Sequence, residues 1–302
     1  MLREEMSVHC FSHQAMGTMF EAMIAGCEAS YARGAAQAAF AEVDRLERLF
    51  SRFDATSEVS QINRLQLGES RRVGVETYEC LTIAEKIRIE TGGAFDVNFR
   101  SGQKFATEKK RGKAVRLVLS SSQGFSVAVG EDGPGLVAPA TKLDLDLGGI
   151  GKGFALDKAA EVFAAWEVDR FLVHAGTSTA LACGDAPGLS SLERGWPVGA
   201  GAGYLPDKSA SRLLLLNRAL SGSGSEVKGC HIIDPRRGEP ASQFLAVWVS
   251  HPRAAEADAL STAFMAMTLE EIERYCRVNP RVWASVVTPD EHRHFFNQEI
   301  LV

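Results

Sequence analysis

The 302-residue chain contains no run near the ~18 consecutive apolar residues that a membrane-spanning helix needs. It also lacks an excess of positive charge. With 33 Lys and Arg against 38 Asp and Glu, its net charge is −5, which argues against a nucleic-acid backbone or an anionic membrane as partner. Its six cysteines (Cys10, Cys27, Cys80, Cys183, Cys230 and Cys276) include no C-x-x-C pair, so neither a zinc site nor a disulfide scaffold reads out. Scattered thiols fit a reducing compartment. The N-terminus, MLREEMSVHCFSHQAMGT, has no apolar h-region and carries Glu4 and Glu5, unlike a secretory signal. The expected location is the cytoplasm, with a truncated exported form left open. What is present is ordinary globular material: 45% hydrophobic and 24% charged residues, in a chain long enough to bury a core without staples.

Hydrophobic spacing predicts the elements. MGTMFEAMIAG reads as a strand. The stretch after it carries Phe40, Val43, Leu46, Leu49 and Phe50 at helical spacing. SRFDATSEVSQINR reads as a loop entering a short helix with Ser57 as N-cap, and Thr77 to Thr91 as a helix stopped by Gly92 and Gly93. Residues 100–142 read as strands and turns broken at GEDGPG. LDLDL is expected to be a strand, GGIGKG a loop and Phe154 to Ala165 a helix. FLVHAG, TALACG and FLAVWVSHP read as strands, and Gly184 to Gly203 as loop or hairpin. RLLLLNRALSGSGS reads as an apolar strand running into a flexible linker, and AAEADALSTAFMAMTLEEIERYC as one helix. SVVTP and HRHFF suggest closing strands. No repeat or low-complexity tract is evident. The mixture predicts an α+β fold with mainly antiparallel sheets and flanking helices, not a regular βαβ series.

Three stretches carry candidate chemistry. In LDLDLGGIGKGFALDKAAEVF, the strand reading places Asp144 and Asp146 on one face. At ~7 Å and an effective dielectric of ~20 they would repel by roughly 2 kcal/mol, which a wet face tolerates and a cleft relieves only with a cation or several donors. Both a solvated face and a functional pair remain open. The glycine turn before a helix offers free backbone N–H groups to an anion, with Lys152 adding charge, although glycines serving only chain reversal would read the same. Walker A fails because Gly153 follows Lys152 where Ser or Thr is required. G-x-G-x-G replaces the Rossmann spacing, and Asp169 has no βαβ unit around it to make it a ribose ligand. In AEADALSTAFMAM, Asp258 and Thr262 share a helix face and offer hard oxygens suited to Mg²⁺, or else cap and solvate the first turn. In HIIDPRRGEP, the spacing would let Asp234 orient His231 for proton transfer, though a lone His is more often structural.

Taken in order, AMGTMF, SRFDATSEVSQIN, TGGAFD, DLGGIGKGFALD, HIIDPRRGEP and ADALSTA resemble the motif series of the FAD:protein FMN transferase (ApbE-like) family. The resemblance spans nearly the whole chain. It implies a single domain over residues 1–302, with two interleaved lobes enclosing a nucleotide cleft. It implies FAD as substrate, contacted by Met16, Ala94, Phe95, Asp96, Asp146, Lys152 and Ile232. It also implies Mg²⁺ held by the Gly149 carbonyl with Asp258 and Thr262, while Asp144 has no role there and is expected to be solvated. The implied reaction transfers FMN onto a Ser or Thr hydroxyl of an acceptor flavoprotein carrying a flavinylation motif and releases AMP. His231 would be the base and Asp234 its orienting partner.

Several positions depart from the family pattern. Phe53 stands where Tyr is frequent, and FDVNFR lacks the usual proline. Thr177 and Ser178 replace a Gly-Asp pair, no Tyr follows Ser221 and Gly222, and Arg237 replaces Thr. An FAD pyrophosphatase and a non-catalytic FAD carrier or sensor are therefore the alternatives.

Overall fold

The computed structural model describes residues 7–99, 115–121, 125–131, 143–190, 192–200, 211–224 and 232–298. Its centre is an eight-stranded sheet in which every neighbouring pair is antiparallel. In spatial order the strands are β1 (Val8–Ala15), β2 (Thr18–Ala25), β6 (Phe171–Ala175), β7 (Thr179–Cys183), β10 (Arg218–Gly224), β13 (Ala246–His251), β14 (Trp283–Val287) and β15 (Arg293–Phe296). A second antiparallel sheet orders β3 (Ser70–Arg72), β5 (Ser126–Glu131) and β4 (Val115–Ser120). Two small hairpins join β8 (Trp196–Ala200) to β9 (Ser211–Leu215) and β11 (Ile233–Asp234) to β12 (Glu239–Pro240). With six helices among the described residues, the architecture is α+β with antiparallel sheets, as the sequence predicts.

Strand alternation sorts the main sheet into two faces. Phe171, Val173, Ala219, Ala284 and Val286 enter the large core with the helices. Leu172, Leu220 and Trp283 point the other way, into a smaller cluster that Trp196, Ala200 and Leu215 of the β8–β9 hairpin help to build. On the helical face lie α1 (Ala29–Phe50), α3 (Val75–Glu90), α4 (Gly151–Ala165), α5 (Ala254–Ala266) and α6 (Leu269–Val278), with the short α2 (Glu58–Ile62) beside α1. Helix α1 is amphipathic, burying Phe40, Val43, Leu46 and Phe50. Helix α5 is nearly all buried, its polar Glu256, Asp258 and Ser261 included.

Three expectations are corrected. The Ser/Gly stretch expected as a linker is β10, an interior strand paired with β7 and β13. Its small residues are needed, because a Cβ at Gly222 would lie 2.8 Å from the Trp248 indole nitrogen. The helix expected over AAEADALSTAFMAMTLEEIERYC is two helices. Met267 leaves helical geometry, and Thr268 starts α6 with a capping box: its hydroxyl accepts from the Glu271 N–H, and Glu271 accepts from the Thr268 N–H. Finally, LDLDL joins no sheet. Residues 143–147 are held instead by side chains: Asn63 exchanges two hydrogen bonds with the Leu145 backbone, and Asn98 accepts from the Asp144 N–H. Residues 100–114 and most of the GEDGPG break, part of the stretch expected as strands and turns, lie outside the described residues. Among the described residues, no helix is long and apolar enough to cross a membrane.

Candidate active site

Helices α4 and α5 cap each other. Asp258 on α5 accepts the Gly153 N–H of α4 on Oδ2 at 3.0 Å, and Asp157 on α4 accepts the Ala254 and Ala255 N–H groups of α5 at 2.7 and 3.0 Å. These are orphan donors of two helix N-termini. The anion at the glycine-rich helix start is therefore the protein's own carboxylate. The close approach also accounts for the failed Walker pattern: a Cβ at Gly153 would lie 2.2 Å from the Ala254 carbonyl oxygen, so no Ser or Thr can stand there. Burial pushes the Asp157 carboxyl up to about 6, against the lowering effect of its two backbone donors.

Around this junction the structure brings several sequence-predicted residues together. Lys152 Nζ lies 3.7 Å from Asp258 Oδ2 and donates to the Gly148 carbonyl at 3.2 Å. A Cβ at Gly149 would meet both the Thr262 hydroxyl and the Phe95 ring at 3.2 Å, so these three residues line one narrow cradle. Among the described residues no three His, Cys, Asp or Glu side chains converge as a metal cluster. A cation here would rely on one carboxylate with neutral oxygens. Asp258 offers about four acceptor sites, of which hydrogen bonds from Gly153, Ser221 and Thr179 take up to three. The Thr262 hydroxyl, which donates to the Asp258 carbonyl at 3.2 Å, keeps its oxygen lone pairs. This hard-oxygen set suits Mg²⁺.

Asp144 and Asp146 share a cation. Arg52 Nη1 lies 3.0 Å from Asp146 Oδ2, and Nη2 lies 3.4 Å from Asp144 Oδ1. Asp144 is only 8% exposed, which corrects the expectation of a solvated side chain. Arg52 also lies 5.5 Å from the centroid of the exposed Phe53 ring. Both residues line a cavity of about 270 Å³ with Ser60, Asn63, Arg64 and Asp144. The Asp146 N–H donates to the Val97 carbonyl at 2.8 Å, which holds this segment against TGGAFD. Within that motif Ala94 and Phe95 are buried and Asp96 is half-buried, accepting the Asn98 N–H at 2.7 Å.

Met16 occupies a two-residue turn between β1 and β2, with φ of 48° followed by 71° at Gly17, the signature of a type I′ hairpin. Left-handed geometry at a non-glycine residue is uncommon. The turn shares one end of the sheet with the β6–β7 turn, where Gly176 donates its N–H to the Met19 carbonyl at 2.7 Å.

His231 lies outside the described residues. Ile232 is half-buried, and its carbonyl accepts the Ala241 N–H at 2.9 Å. Both oxygens of the buried Asp234 accept from Arg236, at 3.0 and 3.2 Å. Arg236 continues to Glu271 and to the Ala266 carbonyl, and its Cγ would stand 3.7 Å from a Cβ at Gly93. Asp234 thus fixes the turn that follows His231. Sequence reasoning missed Arg52, Arg236, Thr179 and Ser261 as parts of the site, and kept Ser221 only as a motif residue. Only the Ser-Gly motif gave any signal, and its composition reads equally as linker.

Comparison with known proteins agrees with this fold. The ApbE family model matches residues 16–285. The FAD:protein FMN transferase of Klebsiella pneumoniae is 22% identical over 87% of this chain and 80% of its own length. That of Treponema pallidum is 32% identical over 49% of this chain and 45% of its own. The crystal structure of Pseudomonas stutzeri flavinyl transferase ApbE, apo form, superposes with a TM-score of 0.77 at 20% identity, covering 98% of this chain and 95% of that one. The flavin transferase ApbE from Vibrio cholerae gives 0.77 at 17% identity, covering 98% and 100%. With its motifs in order and the family model spanning most of its length, the chain belongs to the ApbE family.

Proposed function

We propose that this protein is an FAD:protein FMN transferase, moving FMN from FAD onto a Ser or Thr hydroxyl of an acceptor flavoprotein and releasing AMP. The observation that carries the reading is the junction of Gly149, Phe95, Lys152, Asp258 and Thr262 at the start of α4. It combines a cation, hard oxygen donors and an apolar wall where a dinucleotide's pyrophosphate and ring could meet.

In this reading the acceptor oxygen attacks the FMN-side phosphorus, the bond to the AMP oxygen breaks, and the acceptor proton passes to His231. Asp234 positions His231 through the Arg236-anchored turn. Lys152 offsets pyrophosphate charge, while Met16, Ala94, Phe95 and Ile232 shape the binding surface and Asp96 and Asp146 supply polar contacts. Mg²⁺ held by Asp258, Thr262 and the Gly149 carbonyl would supply the charge neutralisation that phosphoryl transfer requires. Lys152 and Asp258 also neutralise one another, so a pyrophosphate arriving alone would meet little net positive charge. That is the physical argument for a divalent cation.

The test follows FAD by chromatography with the protein and an acceptor peptide, in Mg²⁺ or in EDTA. AMP and an FMN-bearing peptide appearing together only with Mg²⁺, and both lost in His231→Ala, support the reading. FAD bound but intact in both conditions would point to a carrier.

A further inference from the structure

A chain of buried hydroxyls from three elements ends on Asp258. Ser221 Oγ of β10 donates to Asp258 Oδ1 at 3.2 Å, and Thr179 Oγ1 of β7 reaches the same oxygen at 3.4 Å. The two hydroxyls lie 3.0 Å apart. Behind them Ser261 Oγ of α5 donates to the Asp258 carbonyl at 3.0 Å and approaches Ser221 at 3.4 Å, with Ser223 at 2.9 Å from Ser261. The placement follows from local periodicity. Ser221 and Ser223 are two apart on one strand and share its helix-facing side, while Asp258 and Ser261 are three apart on one helix face. Thr179, Ser221 and Ser261 are 2%, 0% and 0% exposed. Hydroxyls with no solvent to satisfy them hold fixed positions because each finds a partner in the chain.

We propose that Thr179 and Ser221 are positioning residues that set the orientation of Asp258 for a divalent cation, with Ser261 and Ser223 holding Ser221 in turn. Ser221 gives its one proton to Oδ1, and Thr179 divides its one proton between Oδ1 at 3.4 Å and Ser221 Oγ at 3.0 Å. Oδ2 is left to the Gly153 N–H and to the side facing Lys152. Without those donors the carboxylate of a residue 4% exposed would turn to find others. The inference rests on the metal role given to Asp258 in the proposed function. Partners that orient a ligand in this way typically change metal affinity 10- to 100-fold when removed.

Mn²⁺ is the probe, its free fraction read by electron paramagnetic resonance with the full chain and FAD present. Thr179→Val removes the hydroxyl while preserving shape, Thr179→Ser retains it, and Ser221→Ala removes the second donor. Mn²⁺ affinity at least about tenfold weaker in Thr179→Val and Ser221→Ala, with Thr179→Ser near wild type, supports the assignment. Wild-type affinity in a folded Thr179→Val would overturn it, even with a lowered melting temperature. If wild type itself binds no Mn²⁺, the metal role of Asp258 falls, and the assignment with it. That result is distinct from a variant that binds as well as wild type.

Discussion

Gly153 donates its backbone N–H to Asp258 Oδ2 at 3.0 Å, and its Cα approaches α5 so closely that a Cβ would lie 2.8 Å from the Asp258 Cβ. Backbone on one side and a helix on the other leave nothing flexible to give way. Gly153→Ala should therefore push the two helices apart, with a cost of about 1–3 kcal/mol or more. Urea unfolding should show a lower midpoint at unchanged slope, and a midpoint equal to wild type would contradict the packing.

Arg52 joins Asp144 and Asp146 through two different guanidinium nitrogens. Removing it leaves two carboxylates on one short segment without their shared cation. Arg52→Met should cost about 1–3 kcal/mol, and Arg52→Lys should recover only part, because one ammonium cannot reproduce the two-pronged geometry. Full recovery by Lys, measured by chemical denaturation, would show that charge alone matters.

Asp157 should make stability depend on pH. Its carboxyl is raised from 3.8 to about 6, chiefly by burial, so the folded protein holds this proton more tightly than the unfolded chain. The group's contribution is full below about pH 4 and is lost as pH rises through about 6. Relative to Asp157→Asn, which does not titrate, wild type should gain up to about 3 kcal/mol between pH 7 and pH 4. A difference that is flat or reversed across that range would contradict the raised value.

The break between α5 and α6 has a local signature in the sequence. Thr268 and Glu271 have the spacing of a capping box, and both reciprocal bonds form. Thr268→Ala should lower stability by about 1 kcal/mol and leave FAD binding unchanged. Melting curves and flavin fluorescence would check the two halves of that statement.

What the sequence shows depends on how local the cause is. Ser57 caps α2 through its own near neighbour Ser60, and the buried stripe of α1 lies within one helix, so both were readable. The alternation in LDLDL correctly buries Leu143, Leu145 and Leu147. The segment is nonetheless no strand, because the Leu145 backbone and the Asp144 N–H pair with the side chains of Asn63 and Asn98, distant in the chain, while the Asp146 N–H meets backbone at Val97. β10 reads as a linker because Ser and Gly usually signal flexibility. Here Gly222 admits Trp248, and Ser221 and Ser223 face polar partners on α5. The pairing of Arg52 with two aspartates more than 90 positions away has no local signature at all. The glycine and Asp258 motifs read as candidate sites from residue type and spacing, and their order along the chain adds the family resemblance. Their meeting at one helix junction emerges from the fold.

The most direct measurement is intact-mass analysis of an acceptor peptide incubated with this protein, FAD and Mg²⁺, with AMP quantified in the same sample. Flavin transfer predicts that the peptide gains the mass of FMN and that one AMP appears for each peptide modified. AMP with an unmodified acceptor would show water taking the place of the hydroxyl, and neither product would contradict the transferase account.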